Sequence, residues 1–396
     1  MVVGAVKWHP RQRVRPGGGS VRGLTIASKS PWVPSIRREH HFATLAARKG
    51  YPVTFIEQPS DIRSAAHGWR SFLAGLDGED KKKDGVNVVR RSVIVPGHKG
   101  RVPQVLDDFQ LRRTIARHRQ PTVGYLPWQF AATDGAPRRI FDCTDDWYRL
   151  YPAKSHANIR AGLDRITAEA DAIIVVNPTL ARHFPGRSPV VVPNGVDRSA
   201  VLEQAIPKPG ANAMAFVGTL SERFDANLVA AILRALPAWR LDIYGSCAYT
   251  GLGDRPHADV VRLLDMFAGR ITLHGPIERN QVNGVLDRAD VLIAPNDSSL
   301  SEGQSSMKLL DAAARGRPAV VSPGVTVDGV RRPPGTLEAA TIDEWQASVV
   351  AAATESAAIV EERLAWAQSN TWDDRWMAWG STVFGSDEGG GLDHEQ

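Results

Sequence analysis

The sequence predicts an α/β protein built from two Rossmann-like, doubly wound domains that face a central cleft. Short apolar runs alternate with amphipathic segments over residues 214–322, which is typical of parallel strands joined by helices. The length of 396 residues is enough for two domains of ordinary size. A segment at 203–212 that bears Pro and Gly separates two such regions and predicts a hinge.

Composition excludes several classes of protein. Hydrophobic residues make up 43% of the chain, which permits two cores and argues against overall disorder. The formal net charge is +5 and the basic residues are scattered, so the chain suits anionic small molecules and we expect no nucleic-acid partner. Cys143 and Cys247 fall in different predicted domains, which argues against a disulfide framework and favours a cytoplasmic location. No apolar stretch reaches the length of a membrane span.

The domain boundaries follow from these features. We expect a disordered leader at 1–22, an N-terminal domain at 23–202, a C-terminal domain at 203–370, a helix at 371–385 and a disordered tail at 386–396. The leader has basic residues but lacks the apolar core of a signal peptide. Trp372, Trp376 and Trp379 recur at roughly helical spacing, so the helix at 371–385 is expected to dock on another surface.

Strands and helices are expected throughout the first domain. The predicted strands are Leu24–Ser28, Val53–Glu57, Val123–Leu126, Arg139–Asp142 and Ala172–Val176, and the predicted helices are Arg38–Lys49, Leu106–His118, Ile159–Glu169 and Thr179–Phe184. Within 60–85, Trp69, Phe72, Leu73 and Leu76 have helical spacing before the run Lys81–Lys83. Two interpretations stay open there: a helix packed on its own domain, or an amphipathic element in peripheral contact with a membrane.

The second domain alternates more regularly. Its predicted strands are Met214–Val217, Arg240–Tyr244, Ile271–His274, Val291–Ala294 and Ala319–Ser322, and its predicted helices are Asn227–Ala235, 258–268, 280–287, one beginning after Ser306, and 343–368. Gly316 and Pro318 would end the helix that Ser306 caps. The polar loop 296–305 leaves the carboxyl end of a strand, which is where ligands bind in open α/β sheets.

The start of the helix after Ser306 is suited to a phosphate. The backbone N–H groups of Ser305, Ser306 and Met307 would point out of a helix end that carries partial positive charge. Lys308 adds a full positive charge, and Asp311 lies three residues further on the same face, where a carboxylate can accept from the vicinal hydroxyls of a ribose. Together these groups suggest a nucleoside diphosphate; the alternative is an exposed Lys308–Asp311 ion pair.

Four segments resemble those of a known enzyme family. The stretch 308–321, KLLDAAARGRPAVV, resembles the "KLYEYLAAGKPVV" segment of GT-B glycosyltransferases, specifically the retaining, family-four-like group. The segment 191–197 resembles the interdomain "VIPNGVD", and 216–225 resembles the "GxxxxxxFD" segment that opens the second domain. The segment 141–147 resembles the "YDCxDD" segment of a bacterial subgroup, and the likeness spans roughly residues 23 to 380.

The resemblance implies a GT-B fold in which a C-terminal helix crosses back to the first domain. It also implies a retaining, metal-independent glycosyltransferase of the hexosyltransferase type, with no cofactor and a nucleotide-sugar donor as co-substrate. UDP-sugar is the first expectation for the donor, followed by GDP-sugar and dTDP-sugar. The acceptor would be a small molecule, a saccharide or a lipid. High Ala, Arg and Gly content is typical of a GC-rich bacterium.

Donor-site residues follow from the resemblance. Those expected to bind the nucleotide sugar lie on the second domain: Gly218, Arg223, Gly245, Ser246, Pro276, Ile277, Ser305, Ser306, Met307, Lys308 and Asp311. Lys308 and Arg223 would also be catalytic, because they can stabilise the negative charge that develops on the β-phosphate.

The first domain is expected to supply an aspartate and the acceptor contacts. Asp145 or Asp146 would orient a sugar or acceptor hydroxyl, although Asp146 could instead cap a turn. With Asp142 they form a cluster that could suit a divalent cation, a role not expected in the resembled family. The candidates for acceptor contact are Trp32, Arg37, His41, Trp128 and Tyr148, with core packing as the alternative for the aromatic ones.

One departure from the family pattern keeps rival functions open. Relatives commonly carry two glutamates eight residues apart; here the later position is Asp311, the earlier one is Gly303, and Glu302 sits one residue early. The rivals are a GT-B-like nucleotide-sugar epimerase and a catalytically inactive nucleotide-sugar-binding module. A dinucleotide-dependent dehydrogenase is not favoured, because no GxGxxG follows a strand and opens a helix.

Overall fold

The structure is a computed structural model and describes residues 23–32, 36–61, 79–93, 101–301, 303–329 and 331–385. The predicted leader 1–22 and tail 386–396 lie outside these ranges. So do Glu302 and the helically spaced Trp69, Phe72, Leu73 and Leu76.

The described part of the first domain contains ten strands. They are β1 (Leu24–Ala27), β2 (Val53–Ile56), β3 (Ser60–Asp61), β4 (Glu79–Lys83), β5 (Val86–Arg90), β6 (Ser92–Val93), β7 (Thr122–Gly124), β8 (Arg139–Cys143), β9 (Ala172–Val175) and β10 (Val190–Val191). Eight of them form one sheet in the order β10-β9-β8-β7-β1-β2-β5-β4, parallel except for the β4–β5 pair, while β3 pairs with β6. The helices are α1 (Arg38–Arg48), α2 (Arg101–His118), α3 (Trp147–Leu150) and α4 (His156–Glu169).

The second domain has a six-stranded sheet whose described strands are all parallel. The strands are β11 (Ala213–Val217), β12 (Arg240–Tyr244), β13 (Ile271–Gly275), β14 (Val291–Ala294), β15 (Ala319–Val321) and β16 (Thr336–Glu338). The helices are α5 (Ala226–Ala235), α6 (Ala258–Met266), α7 (Val282–Asp287), α8 (Met307–Ala314), α9 (Ile342–Ala353), α10 (Ala357–Gln368) and α11 (Trp372–Phe384). The order β13-β12-β11-β14-β15-β16 reverses between β11 and β14, so a crevice opens beyond the carboxyl ends of these two strands.

Helix α11 leaves the second domain and packs on the first. Its Trp379 is fully buried and stacks on Phe42 of α1, with ring centroids 4.3 Å apart and ring planes 7° from parallel. The Trp379 indole N–H also donates to Asp142 Oδ2 at 3.0 Å. The predicted fold class, with a C-terminal helix that crosses back, is therefore confirmed.

The two chain crossings between the domains lie side by side. The Val196 amide donates to the Asn370 carbonyl oxygen at 2.8 Å, and the Trp372 amide donates to the Val196 carbonyl oxygen at 3.1 Å. A Cβ on Gly195 would lie 2.5 Å from the Trp372 backbone nitrogen, so only glycine allows this approach. The crossings thus form one hydrogen-bonded strap beneath the cleft.

One strand was not predicted, and one prediction of helix was wrong in part. The run Lys81–Lys83, which follows the helically spaced residues of 60–85, belongs to edge strand β4, and Asp84 and Gly85, with φ of +49° and +80°, make a two-residue hairpin turn to β5. The helix expected at 343–368 is two helices, α9 and α10, separated at 354–356. Among the described residues no helix is both long and apolar enough to cross a bilayer.

Candidate active site

A cavity of about 580 Å³ lies between the two sheets. Its first-domain wall comes from residues that follow β1 and β8 and from the start of α1. Its second-domain wall comes from residues that follow β11, β12, β13 and β14 and from the start of α8. Because both sheets turn the carboxyl ends of their parallel strands toward the cavity, it is the place where both domains can present ligand-binding loops.

Two glycines let the backbone come close to the cavity. Gly218 follows β11 with φ +149°, and Gly245 follows β12 with φ +147°, a region that side chains rarely allow. A Cβ on Gly245 would lie 1.9 Å from the Gly218 carbonyl oxygen, and one on Gly218 would lie 3.4 Å from Lys308 Nζ. Both predicted glycines therefore line the site and bring its loops against the lysine.

Lys308 points into the cavity from the first turn of α8. Its Nζ lies 4.3 Å from the centroid of the Phe216 ring, within the range of a cation–π contact. No carboxylate of the described residues lies within salt-bridge distance of this ammonium group. Burial, with the nearby Arg223 guanidinium as a second cause, lowers the pKa of Lys308 to about 8.

Arg223 lies on the same side of the cavity and is held by groups from both domains. Its closest carboxylate is Asp145 across the cleft, with Nη2 3.9 Å from Oδ1. When the Gln304 amide is turned so that its oxygen faces the guanidinium, that oxygen accepts from Arg223 Nη1 at 2.6 Å. Burial lowers the pKa of Arg223, although Asp145 opposes this shift. Arg223 and Lys308 are thus two neighbouring cations: Arg223 has Asp145 at the outer limit of salt-bridge distance, and Lys308 has no carboxylate within that distance among the described residues.

Asp311 lines the cavity but does not pair with Lys308. Both of its oxygens accept from Arg279, at 2.7 Å for Nη1 to Oδ2 and 2.6 Å for Nη2 to Oδ1. The exposed Lys308–Asp311 pair considered as an alternative is therefore not formed. The sequence did not indicate Arg279, which begins the 3₁₀ turn Arg279–Gln281.

The start of α8 faces the cavity, but one of its amides is already used. The Ser306 amide donates to the Thr326 carbonyl oxygen at 2.8 Å, and the Ser305 hydroxyl donates to the Val327 carbonyl oxygen. The amides of Met307 and Lys308 follow in the first turn, where an α-helix offers no carbonyl acceptor of its own. Of the three predicted phosphate amides, that of Ser306 is thus committed to its own chain.

The predicted base-binding loops also border the cavity. Ser246, Pro276 and Ile277 line it, and the Gly245 amide donates to the Gly275 carbonyl oxygen at 2.8 Å, which ties the two loops together. Tyr244 lines the same region, and its ring stacks on His274 with centroids 4.3 Å apart.

The three clustered aspartates Asp142, Asp145 and Asp146 have different partners. Asp142 is buried and accepts from Arg38 Nε at 2.8 Å. Asp146 caps α3 by accepting from the Tyr148 amide at 3.2 Å and pairs with Arg182 Nη2 at 2.6 Å, so it lies outside the cavity lining. Among the described residues, no group of three or more His, Cys, Asp or Glu side chains is placed to hold a metal ion.

Of Asp142, Asp145 and Asp146, only Asp145 lines the cavity. Its Oδ2 accepts from Lys29 Nζ at 2.8 Å and from the Thr144 hydroxyl at 2.9 Å. Burial would raise the pKa of Asp145, but Lys29 and Arg223 outweigh this effect and hold it below its usual range. The side chain is therefore a fixed negative charge between two cations. Such a carboxylate accepts hydrogen bonds readily and is a weak base.

Most candidates for acceptor contact pack against other side chains and do not line the cavity, so their role in acceptor contact stays a prediction. Trp32 is 7% exposed and meets Phe55 edge to face, and His41 stacks on Trp372 with centroids 4.5 Å apart. Trp128 and Tyr148 pack on the buried cluster that contains Trp147, and neither of them lines the cavity. Only Arg37 among the five lines it.

Gly303, at the position of the earlier glutamate of the family pattern, sits against the first domain in a backbone conformation that strains any other residue. Its φ is +82°, and a Cβ there would lie 2.9 Å from Leu180 Cδ2. Its neighbour Gln304 accepts, through its carbonyl oxygen, from Asn177 Nδ2 at 3.0 Å. The loop before α8 thus contacts the first domain, and a side chain at 303 would require the Leu180 side chain to shift.

Lys29 and Arg279 are two charged cavity residues that the sequence analysis did not identify. Lys29 follows β1 at the centre of its sheet, so its position at a strand end was a usable signal. Arg279 had no local signal, because its role depends on Asp311, 32 residues away.

Comparison with known proteins agrees with this architecture. Residues 211–355 match the sequence profile of the family described as glycosyl transferases group 1. No curated protein matches the sequence significantly.

Solved structures resemble the chain over nearly its whole length. The sucrose-phosphate synthase of Thermosynechococcus elongatus has a TM-score of 0.68 at 13% identity and covers 91% of this chain and 98% of its own. WaaG, a glycosyltransferase of lipopolysaccharide biosynthesis, has a TM-score of 0.64 at 14% identity, covering 91% and 99%. Anabaena Alr3699/HepE has a TM-score of 0.63 at 14% identity, covering 91% and 97%. At these identities the likeness shows the fold.

The profile match covers the domain that carries Gly218, Arg223, Lys308 and Asp311, and the fold extends the agreement to the first domain. Residues 211–355 are a group 1 glycosyl transferase domain, and the chain is a glycosyltransferase with the GT-B fold.

Proposed function

We propose that this protein is a retaining, metal-independent glycosyltransferase that moves a sugar from a nucleoside diphosphate, with UDP as the first choice, to an acceptor hydroxyl. The observation that carries the proposal is the pair Arg223 and Lys308. Two cations lie side by side in a partly dehydrated cavity, and the described residues place no carboxylate in contact with Lys308. Such a pair is unfavourable until an anion lies between its members.

A diphosphate suits this arrangement better than a single carboxylate would. Gly218 allows the backbone to approach a phosphate, and the first turn of α8 presents amides beside Lys308. The leaving group of a nucleotide sugar gains negative charge on its β-phosphate as the glycosidic bond breaks. Fixed cations at that position stabilise the transition state more than the ground state, which is what raises the rate.

Neighbouring structures support the choice of donor. HepE was solved in complex with UDP and glucose and, separately, with UDP-glucose. The Escherichia coli trehalose-6-phosphate enzyme was solved with UDP-2-fluoro glucose, at a TM-score of 0.59 and 14% identity. The chain's own base-facing loops, 244–246 and 275–277, are consistent with any nucleobase, so GDP-sugar and dTDP-sugar stay behind UDP-sugar.

Asp145 is the first-domain residue that we assign to the reaction. It reaches the cavity from the carboxyl end of β8, opposite Arg223. Its lowered pKa makes it a hydrogen-bond acceptor that orients an acceptor or sugar hydroxyl rather than a base that removes a proton. Retention then requires the acceptor to attack from the face that the diphosphate leaves, and the diphosphate oxygens can take the proton.

A thermal-shift screen against UDP, GDP, dTDP and their sugars tests the donor class without an acceptor. A ligand at one hundred times its dissociation constant should stabilise the protein by about 2.7 kcal/mol. A shift with one nucleoside diphosphate, and none with the nucleoside alone, supports the proposal; no shift with any diphosphate refutes it.

Turnover then separates transfer from the rival functions. With the matching donor and an acceptor library, we expect a glycoside whose anomeric configuration, read by NMR, equals that of the donor, and a rate unchanged by EDTA. Release of a rearranged sugar without any acceptor would indicate the epimerase. Binding without turnover on any acceptor would indicate the inactive binding module.

A further inference from the structure

Two asparagines of the first domain hold the loop that precedes α8 in the second domain. Asn177 follows β9, and its Nδ2 donates to the Gln304 carbonyl oxygen at 3.0 Å. Asn194 follows β10, and its Nδ2 donates to the Ser305 carbonyl oxygen at 3.0 Å. The Asn194 backbone amide also donates to the Ser305 hydroxyl at 3.2 Å. Three hydrogen bonds from the first domain thus reach two consecutive residues of this loop.

The other contacts of each asparagine fix which way its amide group faces. Asn177 Oδ1 accepts from the backbone amide and the hydroxyl of Thr179, at 3.0 Å and 2.9 Å. Asn194 Oδ1 accepts from Arg38 Nη1 at 3.3 Å, and a guanidinium can only donate. In both residues the NH₂ group must therefore face the loop. Because Asn177 is 2% exposed and Asn194 is 8% exposed, water cannot readily replace these bonds.

Asn194 is anchored in turn by buried groups of the first domain and α11. Its partner Arg38 donates through Nε to Asp142 Oδ2 at 2.8 Å. The same carboxylate oxygen accepts from the Trp379 indole N–H at 3.0 Å. A continuous path of hydrogen bonds therefore runs from α11 through the first domain to Ser305, and it gives Asn194 a fixed position.

The loop that the asparagines hold positions both cations of the cavity. The Gln304 side-chain oxygen, when turned toward the guanidinium, accepts from Arg223 Nη1 at 2.6 Å and from Nε at 3.0 Å. Ser305 directly precedes Ser306, the N-cap of α8, and Lys308 lies in the first turn of that helix. A shift of residue 304 would therefore move the partner of Arg223, and a shift of residue 305 would move the helix start that carries Lys308.

We propose that Asn177 and Asn194 are positioning residues through which the first domain sets the distance between Arg223 and Lys308. This inference rests on the proposed function and deepens it, because it makes affinity for the diphosphate depend on both domains. Like charges repel, so a loop without these bonds would let the two cations move apart. Ligand binding would then have to bring them back together, which weakens it.

Asn177→Asp is the sharpest variant, because it removes one bond and keeps the rest of the site. The carboxylate can still accept from the Thr179 amide and cap the turn that follows, but it has no N–H for the Gln304 carbonyl oxygen. Asn177 does not line the cavity, so the change removes no direct ligand contact. Asn177→Ala removes the same bond without adding a charge.

Calorimetry with UDP, and with UMP as a competitor, measures the effect; GDP and GMP replace them if guanine is the preferred base. Because the two cations are assigned to the β-phosphate, which UMP lacks, both Asn177 variants should bind UDP about tenfold more weakly. Their affinity for UMP should change less than about threefold. Asn194→Ala should lower the ratio of UDP to UMP affinity in the same way.

Asn370→Asp is the matched control. Asn370 Oδ1 accepts from Arg375 Nη2 at 2.6 Å, and its Nδ2 donates to the Trp366 carbonyl oxygen at 2.8 Å. The change thus removes one donor and adds one charge, as Asn177→Asp does, at a residue that does not line the cavity. This variant should keep the wild-type ratio of UDP to UMP affinity.

A double variant tests whether Asn177 acts through Arg223. If it does, Asn177→Ala should weaken UDP binding by less than about twofold when Arg223 is already methionine. Independent contributions would instead multiply, and the full tenfold loss would appear again. A full loss in the Arg223→Met background would overturn the positioning role.

The remaining outcomes separate this inference from the proposed function. An unchanged ratio of UDP to UMP affinity in both Asn177 variants, an equal loss for UDP and UMP, or a loss in Asn177→Asp alone overturns the positioning role and leaves the proposed function standing. If Asn177→Ala does not fold, the comparison of Asn177→Asp with Asn370→Asp decides. A wild type that binds no nucleoside diphosphate overturns the proposed function as well.

Discussion

Replacement of Lys308 by methionine should change folding stability and ligand binding in opposite directions. The pKa of Lys308 falls from 10.5 to about 8, so the folded protein holds the charged amine less favourably than the unfolded chain by about 3 kcal/mol. Because part of the side chain meets solvent, screening reduces this to about 2 kcal/mol. Methionine keeps the contact with Phe216 and removes the charge, so the ligand-free variant should gain about 2 kcal/mol of unfolding free energy at pH 7.

The same change should weaken nucleoside diphosphate binding. The ammonium group supplies a charge-assisted hydrogen bond, whose loss costs about 2 kcal/mol, or about thirtyfold in dissociation constant. Urea unfolding measures the first effect and calorimetry with UDP measures the second. Lys208→Met is the control, because Lys208 lies outside the cavity and pairs with Glu355 at 3.0 Å. That variant should lose stability and keep its affinity.

The pH dependence gives an independent check on Lys308. Between pH 8 and pH 10.5 the unfolded chain keeps a proton that the folded protein has released, so this lysine makes wild-type stability rise with pH over that window. The variant should lack this contribution. A variant that is less stable than wild type at pH 7, or that binds UDP with unchanged affinity, would refute the reasoning.

Three further changes test other parts of the site. Gly245→Ala should cost at least about 3 kcal/mol of stability in urea unfolding, because its Cβ would meet the Gly218 carbonyl oxygen at 1.9 Å; a cost below 1 kcal/mol would contradict the contact. Burial lowers the pKa of His41 to about 3, so below pH 6.5 the unfolded chain binds a proton that the folded protein does not. As the pH falls below 6.5, the unfolding free energy of wild type should therefore decrease by about 1.4 kcal/mol per pH unit more than that of His41→Phe. An equal decrease in both proteins would contradict this. Asp145→Asn should weaken its bond with Lys29 and lower kcat about a hundredfold in a transfer assay while UDP affinity stays within threefold; an unchanged kcat would remove Asp145 from the reaction.

The parts of the fold that depend on local pattern could be predicted from the sequence. Val291–Ala294 is a strand with the predicted bounds, because an apolar run of this length is buried on both faces of a parallel sheet. Arg240–Tyr244 also has the predicted bounds, because its buried Leu241 and Ile243 alternate with more exposed residues. The edge hairpin β4–β5 was missed, since charged residues such as Lys81–Lys83 give a strand no apolar alternation, and its signal was the turn residues Asp84 and Gly85.

The residues of the candidate site also fall into those that local sequence pattern predicts and those that only the folded chain reveals. Gly218, Lys308 and Asp311 could be predicted as site residues, because Gly218 follows a predicted strand and the other two lie near the start of a predicted helix. Ligands bind at such strand ends and helix starts in open α/β sheets. Arg279 could not be predicted, because its position in the site depends on its bonds to Asp311, which is distant in the sequence. Trp32 and His41 were expected to contact the acceptor because they lie near the cleft; in the structure the Trp32 ring packs on Phe55 and the His41 ring stacks on Trp372, so acceptor contact by either residue stays a prediction.

The most direct measurement of the central claim is a crystal structure of the protein with UDP. The account predicts β-phosphate oxygens within hydrogen-bond distance of Lys308 Nζ and the Arg223 guanidinium, beside the amides that begin α8. A diphosphate bound elsewhere in the cleft, or a Lys308 side chain turned away from it, would contradict the account.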